Sequence, residues 1–221
     1  HTDLIINLPL VDADLIRSRN FKVVVDAVNS TGGIAVPNLL NKLGVEVVKL
    51  YCDPNGEFPH NPEPLKENLT DLSKLVVKEQ ADFGIVVDPD VDRLAFVSEN
   101  GEVFGEEYTL VACADYFLKN KPGITVSNLS SSRALKDITE SYGCEYFSSA
   151  VGEVNVVEKM KEKNAVIGGE GNGGIILPEL HYGRDALVGI ALFLTHLSKL
   201  NISCSDLRKK YPDYFLSLIH I

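Results

Sequence analysis

Residues 83–93 read F-G-I-V-V-D-P-D-V-D-R, a short apolar run that empties into Asp88, Asp90 and Asp92. The run Gly84–Val87 predicts a buried strand, and Pro89, with no amide hydrogen to give a ladder, ends it. The carboxylates therefore stand at the carboxyl end of a strand, where open α/β sheets collect their ligands. Aspartates crowded this closely repel one another unless a cation sits among them. A hard divalent ion answers that need. Mg²⁺ suits best, because it takes few protein oxygens and completes its octahedron with water or phosphate, whereas Ca²⁺ wants more ligands. The plain alternative is an acidic surface turn whose charge Arg93 offsets.

The rest of the chain alternates strands and helices. Strands are predicted over 21–25, 45–50 and 84–87, with helices between them, and Asn100-Gly101 predicts a hairpin between 94–97 and 103–104. A helix over 106–118 closes this unit. Lys119–Gly123, polar and carrying both Pro122 and Gly123, is the natural boundary, giving domains 1–121 and 122–221. The pattern then restarts with strands at 124–127, 145–147 and 165–167 around helices at 131–142 and 155–163. The fold class is α/β, two tandem three-layer α/β/α domains with small, mixed, mostly parallel sheets.

Composition narrows the functions. The chain of 221 residues is 45% apolar and carries a net charge of −10, which argues against a nucleic-acid or anionic-membrane surface and leaves any phosphorylated ligand to local features. The apolar segment 186–194 is too short to span a bilayer and reads as a core helix. Cys52, Cys113, Cys144 and Cys204 are scattered without a C-x-x-C pair, so neither zinc nor a disulfide framework is expected, and the cytoplasm is the simplest home. Opening on His1, with Met160 the sole methionine and no stop signal in Leu216–Ile221, the sequence reads as part of a longer protein.

Three further stretches attract attention. Asp26–Gly33, small and polar, predicts a strand-to-helix turn that either faces an anion or simply connects, with Ser30 or Thr31 as helix cap. In G-G-E-G-N-G-G, residues 168–174, Glu170 and Asn172 are the only side chains beyond glycine. A close backbone with one carboxylate and one amide suits a hydroxyl-rich ligand such as a sugar, the alternative being a flexible hairpin loop. In H-Y-G-R-D at 181–185, Asp185 is placed to cap a helix and Arg184 to meet an anion, while His181 reads as structural rather than as a proton carrier.

V-D-A-V-N-S-T-G-G (25–33), D-P-D-V-D-R (88–93), A-V-G-E-V-N (150–155) and G-E-G-N-G-G (169–174), in that order over nearly the whole chain, resemble the α-D-phosphohexomutases: phosphomannomutases, phosphoglucomutases and phosphoglucosamine mutases. The resemblance is to the second and third of that family's four domains; its phosphoserine loop and phosphate-gripping domain find no counterpart here. It implies that Asp88, Asp90 and Asp92 bind Mg²⁺, that Arg93 stabilises the transferring phosphoryl group, and that Glu170 and Asn172, with Gly152, Glu153 and Arg184, face the sugar. Asn172 stands where many members have serine and Gly174 where some have histidine, which leaves the preferred hexose open. The implied reaction moves phosphate between the 1 and 6 positions of a hexose through a hexose 1,6-bisphosphate. The implied partners are hexose phosphates and the phosphoserine and phosphate-binding domains of the same protein, without which this chain is expected to be inactive. Two other readings compete: a haloacid-dehalogenase-like phosphatase with Asp88 as nucleophile, and a non-enzymatic, metal-stabilised sugar-binding module.

Overall fold

The computed structural model describes residues 1–214; residues 215–221, the tail read above as lacking a stop signal, lie outside the described residues. Two short helices, α1 (Thr2–Ile6) and α2 (Ala13–Ser18), lead in. Asp12 starts α2 by accepting the Leu15 amide at 3.0 Å. Strands β1 (Lys22–Asp26), β2 (Glu46–Leu50), β3 (Phe83–Val87) and β4 (Leu94–Ser98) form a sheet in the order β2-β1-β3-β4. The first three are parallel, and β4 returns antiparallel to β3. Every residue of β3 is buried, as a strand covered on both faces requires. Helix α3 (Gly32–Lys42) covers one face and α4 (Thr70–Glu79) the other.

The second unit repeats this plan. Strands β5 (Thr125–Asn128), β6 (Tyr146–Ser149), β7 (Ile167–Glu170) and β8 (Gly174–Ile176) lie in the order β6-β5-β7-β8, again with only the last antiparallel. Helix α7 (Glu153–Lys163) covers one face, while α5 (Glu106–Asn120) and α6 (Ala134–Ser141) cover the other. The expected architecture of two α/β/α layers with mixed, mostly parallel sheets is what the chain forms.

The seam differs from a simple tandem. Helix α8 (Ala186–Leu200), which follows the second sheet, packs against α1, α2, α5 and β4. It is apolar nearly all round and buried through Ser198, as a helix enclosed on every side must be. Phe193 stacks on Phe96 of β4 with centroids 3.8 Å apart and meets Phe83 and Phe104 edge-on at 5.7 and 5.3 Å. Helix α5, in turn, touches both β4 and β7. One continuous apolar core thus runs through both units, and α5, placed by the sequence wholly in the first, serves both. A short helix α9 (Cys204–Arg208), capped by Ser203, follows. Among the described residues, no helix is long and apolar enough to cross a membrane.

The strand β7 begins later than the sequence suggests and runs into the glycine stretch, so Gly168, Gly169 and Glu170 are strand rather than loop. The reason is space: a Cβ on Gly169 would stand 1.9 Å from the Gly174 carbonyl oxygen. These glycines answer to close packing of the chain on itself.

Candidate active site

The carboxyl ends of the two central strand pairs supply the polar groups. Strand β3 delivers Asp88, fully buried, at its end; β5 delivers Asn128, and β7 ends on Glu170, itself 4% exposed. The turn after β3 is tight. The amides of Asp92 and Arg93 both donate to Asp88 Oδ1 at 3.0 Å, and Arg93 Nε donates to Oδ2 at 2.7 Å. Val91, at its tip, is held at φ +64°, a left-handed conformation that a β-branched residue adopts only under constraint. The constraint is visible: the first amide of α8, on Ala186, donates to the Val91 carbonyl at 3.0 Å. Ser30 and Thr31 hydroxyls each donate to the Pro89 carbonyl at 2.7 Å, so the Asp26–Gly33 turn braces this loop, and neither hydroxyl caps α3.

Asp88, Asp90 and Asp92 bring oxygens within 4.8 Å of one another. Burial works against ionisation of Asp88, but the Arg93 amide and guanidinium outweigh it and hold the carboxyl below its ordinary range. Asp92 moves the other way: burial and then the neighbouring Asp88 raise it, against the pull of Arg184. Asp92 Oδ1 is buried with no hydrogen-bond partner among the described residues. An orphaned carboxylate oxygen beside two more carboxylates is a donor set suited to a hard divalent cation.

The second loop closes against the first. The Leu94 amide donates to the Gly173 carbonyl at 3.2 Å, and Arg93 pairs with Gly174 in an isolated antiparallel bridge. Gly173, at φ +90°, permits this, since a Cβ there would lie 2.2 Å from the Leu94 carbonyl oxygen. Arg184 then spans the two loops. Its Nη1 donates to Glu170 Oε2 at 2.7 Å, its Nη2 pairs with Asp92, and its Nε lies 3.6 Å from Glu153 Oε2. The structure thus brings Arg93, Glu170, Glu153 and Arg184 to the aspartate loop.

The other residues singled out by sequence hold more local positions. Asn172 folds back, its Oδ1 accepting the Gly174 amide at 3.2 Å. Gly152 caps α7 and gives its amide to Glu170 Oε1 at 3.3 Å. Glu170 is itself engaged on both oxygens, because Asn128 Nδ2 also donates to Oε1 at 2.7 Å. His181 Nε2 meets Asp185, the cap of α8, at 3.0 Å, and its Nδ1 accepts the Gly183 amide, so it is tied to that helix start.

Sequence reasoning missed Asn128, Glu63 and the His60–Asp26 pair. Glu63 takes Arg93 Nη1 at 3.3 Å. His60 Nε2 lies 3.0 Å from Asp26 Oδ2, with Nδ1 on the Asn61 carbonyl; the bond to Asp26 raises His60 above its ordinary value against the effect of burial. Asn128 was within reach of the sequence: it ends the first strand of the second unit, as Asp26 ends that of the first. A cavity of about 1020 Å³ lined by Lys66, Lys74, Arg208 and Asp213 lies elsewhere, and Arg208 there is spent on Phe104, Tyr211 and Asp213.

Known proteins share the sequence pattern and the fold. The family of phosphoglucomutase/phosphomannomutase, alpha/beta/alpha domain II, matches residues 1–101, and its domain III matches 105–214, so that α5 falls in the second match. A phosphoglucomutase/phosphomannomutase of Thermococcus kodakarensis is 37% identical over 207 residues, 93% of this chain and 45% of its own length. The chain spans about half the length of the curated relatives it matches. A phosphoglucomutase/phosphomannomutase family protein from Burkholderia thailandensis superposes with a TM-score of 0.81 at 29% identity, covering 91% of this chain and 46% of that one. The Aspergillus fumigatus N-acetylphosphoglucosamine mutase solved with GlcNAc-6P and magnesium shares the fold at a TM-score of 0.67 and 13% identity, covering 91% and 52%. From these matches, joined to the repeated sheet order and the aspartate loop, the chain belongs to the α-D-phosphohexomutase family and comprises its domains II and III.

Proposed function

We propose that the protein of which this chain is part is a phosphohexomutase, moving a phosphoryl group between the 1 and 6 positions of a hexose through a phosphoserine and a hexose 1,6-bisphosphate. Glucose, mannose and glucosamine phosphates are the candidate substrates, and the cytoplasm, consistent with four free thiols, the proposed compartment. The observation that carries the reading is the joining of the Asp88–Arg93 loop to the Glu170 loop across the seam.

Asp88, Asp90 and Asp92 would hold Mg²⁺, which when bound supplies charge neutralisation at the transferring phosphoryl group. Arg93, anchored by Asp88 and Glu63, presents a guanidinium of fixed orientation and stabilises the negative charge that develops on that group. Glu170 and Glu153 orient sugar hydroxyls, Asn172 shapes the loop between them, and Gly152 gives its amide to the same carboxylate. Arg184 meets the anionic end of the substrate. Asp88 is unsuited to be a nucleophile, since it is fully buried and both its oxygens are engaged. The chain alone lacks a phosphoryl donor on this reading and binds ligands without turnover.

The test is a calorimetric titration of Mg²⁺ into the chain and its Asp90→Ala variant, with and without a hexose 1,6-bisphosphate. Binding lost in the variant and tightened by the bisphosphate is expected. Metal binding indifferent to the substitution, or isomerisation by the chain unaided, would sink the corresponding half of the proposal.

A further inference from the structure

We propose that Arg184 is a latch between the two loops: its guanidinium competes with the divalent cation for Asp92, so that metal binding releases it from Asp92 while Glu170 and Glu153 keep it in the cleft for an incoming anion. The inference rests on the metal reading of the aspartate loop.

A guanidinium serves two carboxylates at once through separate nitrogens in a fixed planar fork, whereas an ammonium must reach both from a single nitrogen. Arg184 uses this to join Asp92, from the loop after β3, to Glu170, from the end of β7. The side chain is 17% exposed, and its Cδ lies only 2.3 Å from where a Cβ on Gly174 would stand, so it is laid against the backbone of the second loop. Its own amide donates to Glu153 Oε1 at 3.0 Å, fixing the root of the side chain on that side. Two features show that the present arrangement leaves capacity unused: among the described residues, Arg184 Nε is buried with no acceptor at hydrogen-bond distance, and Asp92 Oδ1 is buried with no donor at hydrogen-bond distance. A dication drawn to Asp92 meets the guanidinium already there, and like charges a few ångströms apart in a partly buried cluster cannot share one carboxylate cheaply. The anchor to the second loop survives that exchange, so the guanidinium swings and does not leave. Arg184 acts on the metal through Asp92 and is a positioning residue.

Mg²⁺ alone is titrated calorimetrically at about pH 8 into wild type, Arg184→Gln and Arg184→Lys, with near-ultraviolet dichroism reporting the fold. Removing one positive charge beside the site is expected to tighten Mg²⁺ about tenfold in R184Q, with R184K intermediate because lysine bridges less well. Wild-type binding with R184Q equal or weaker overturns the latch and leaves the metal reading standing. Absence of Mg²⁺ binding in all of them overturns the metal reading and the latch with it. If R184Q does not fold, R184K decides, and affinity unchanged from wild type there overturns the latch.

Discussion

Metal binding at this site should depend on pH near neutrality, and the reason lies in one carboxylate. Burial and the charge of Asp88 push Asp92 up to about 7, with Arg184 pulling it down. Mg²⁺ requires the ionised form, so protons compete with it below that value. With a raised pKa the sign is fixed: binding is full above about pH 8 and falls about tenfold, or about 1.4 kcal/mol, for each unit of pH below about 7. At about pH 6 the group is roughly nine-tenths protonated, so each metal bound displaces close to one proton. An unperturbed aspartate, near 3.8, would give a flat profile over the same range. Calorimetry in two buffers of different ionisation enthalpy reads both quantities at once, because released protons add the buffer's heat. Affinity constant between about pH 5.5 and 8, with no proton release, would falsify the assignment of a raised Asp92 in the metal site. Asp92→Asn should weaken binding and remove the slope together.

The same physical reasoning extends to the core and to the carboxyl end of β1. Phe193→Ala deletes a fully buried ring stacked on Phe96, and about 3–5 kcal/mol of stability should go with it; denaturant melts should show one shifted transition, whereas a second transition would mean the units do not share the core. His60, raised by its bond to Asp26, stabilises the fold fully below its unfolded value of roughly 6.5, and that contribution fades as pH rises through the higher folded value. The melting-temperature gap between wild type and His60→Gln should therefore be widest on the acid side and narrow above neutrality; a gap that widens with pH would contradict the pairing.

Much of the fold was legible because it is local. Strand β3 is an unbroken apolar run that stops at Asp88-Pro89, and the element order of the first unit recurs in the second. The aspartate spacing pointed to a metal because the repulsion lies within five consecutive residues. What escaped is non-local. The exchange by which α5 and α8 serve both sheets follows from Phe193 meeting Phe96, nearly a hundred residues away, and helix patterning says that a face is buried without saying against what. The glycines of 168–174 suggested a ligand, yet Gly169 and Gly173 are small because Gly174 and Leu94 backbone oxygens approach them. Glu170 stood out by its isolation among glycines; Asn128 is marked in the sequence only by its place at the end of a strand, and its bond to Glu170 at 2.7 Å is recognised only once β5 and β7 are neighbours.

The contacts across the seam constrain how the proposed reaction can run. Among the described residues, the aspartate loop and the start of β4 are fastened to the second unit by two backbone bonds, from Leu94 to Gly173 and from the Ala186 amide to the Val91 carbonyl, and by the side-chain contact of Arg184 on Asp92. The first two are backbone bonds beside a shared apolar core, so shifting one loop against the other would break them and open the packing around Phe193. Only the third is a side-chain contact that can change at small cost. On the proposed function, a bisphosphate that turns between two phosphoryl transfers would turn over a platform whose backbone stays fixed, and the adaptable group on that platform would be the Arg184 guanidinium. The electrostatics suit this division. Arg93 is pinned by Asp88 and Glu63 and would present the same face to either phosphate of the proposed substrate, whereas Arg184 would follow whichever anion lies opposite the proposed metal.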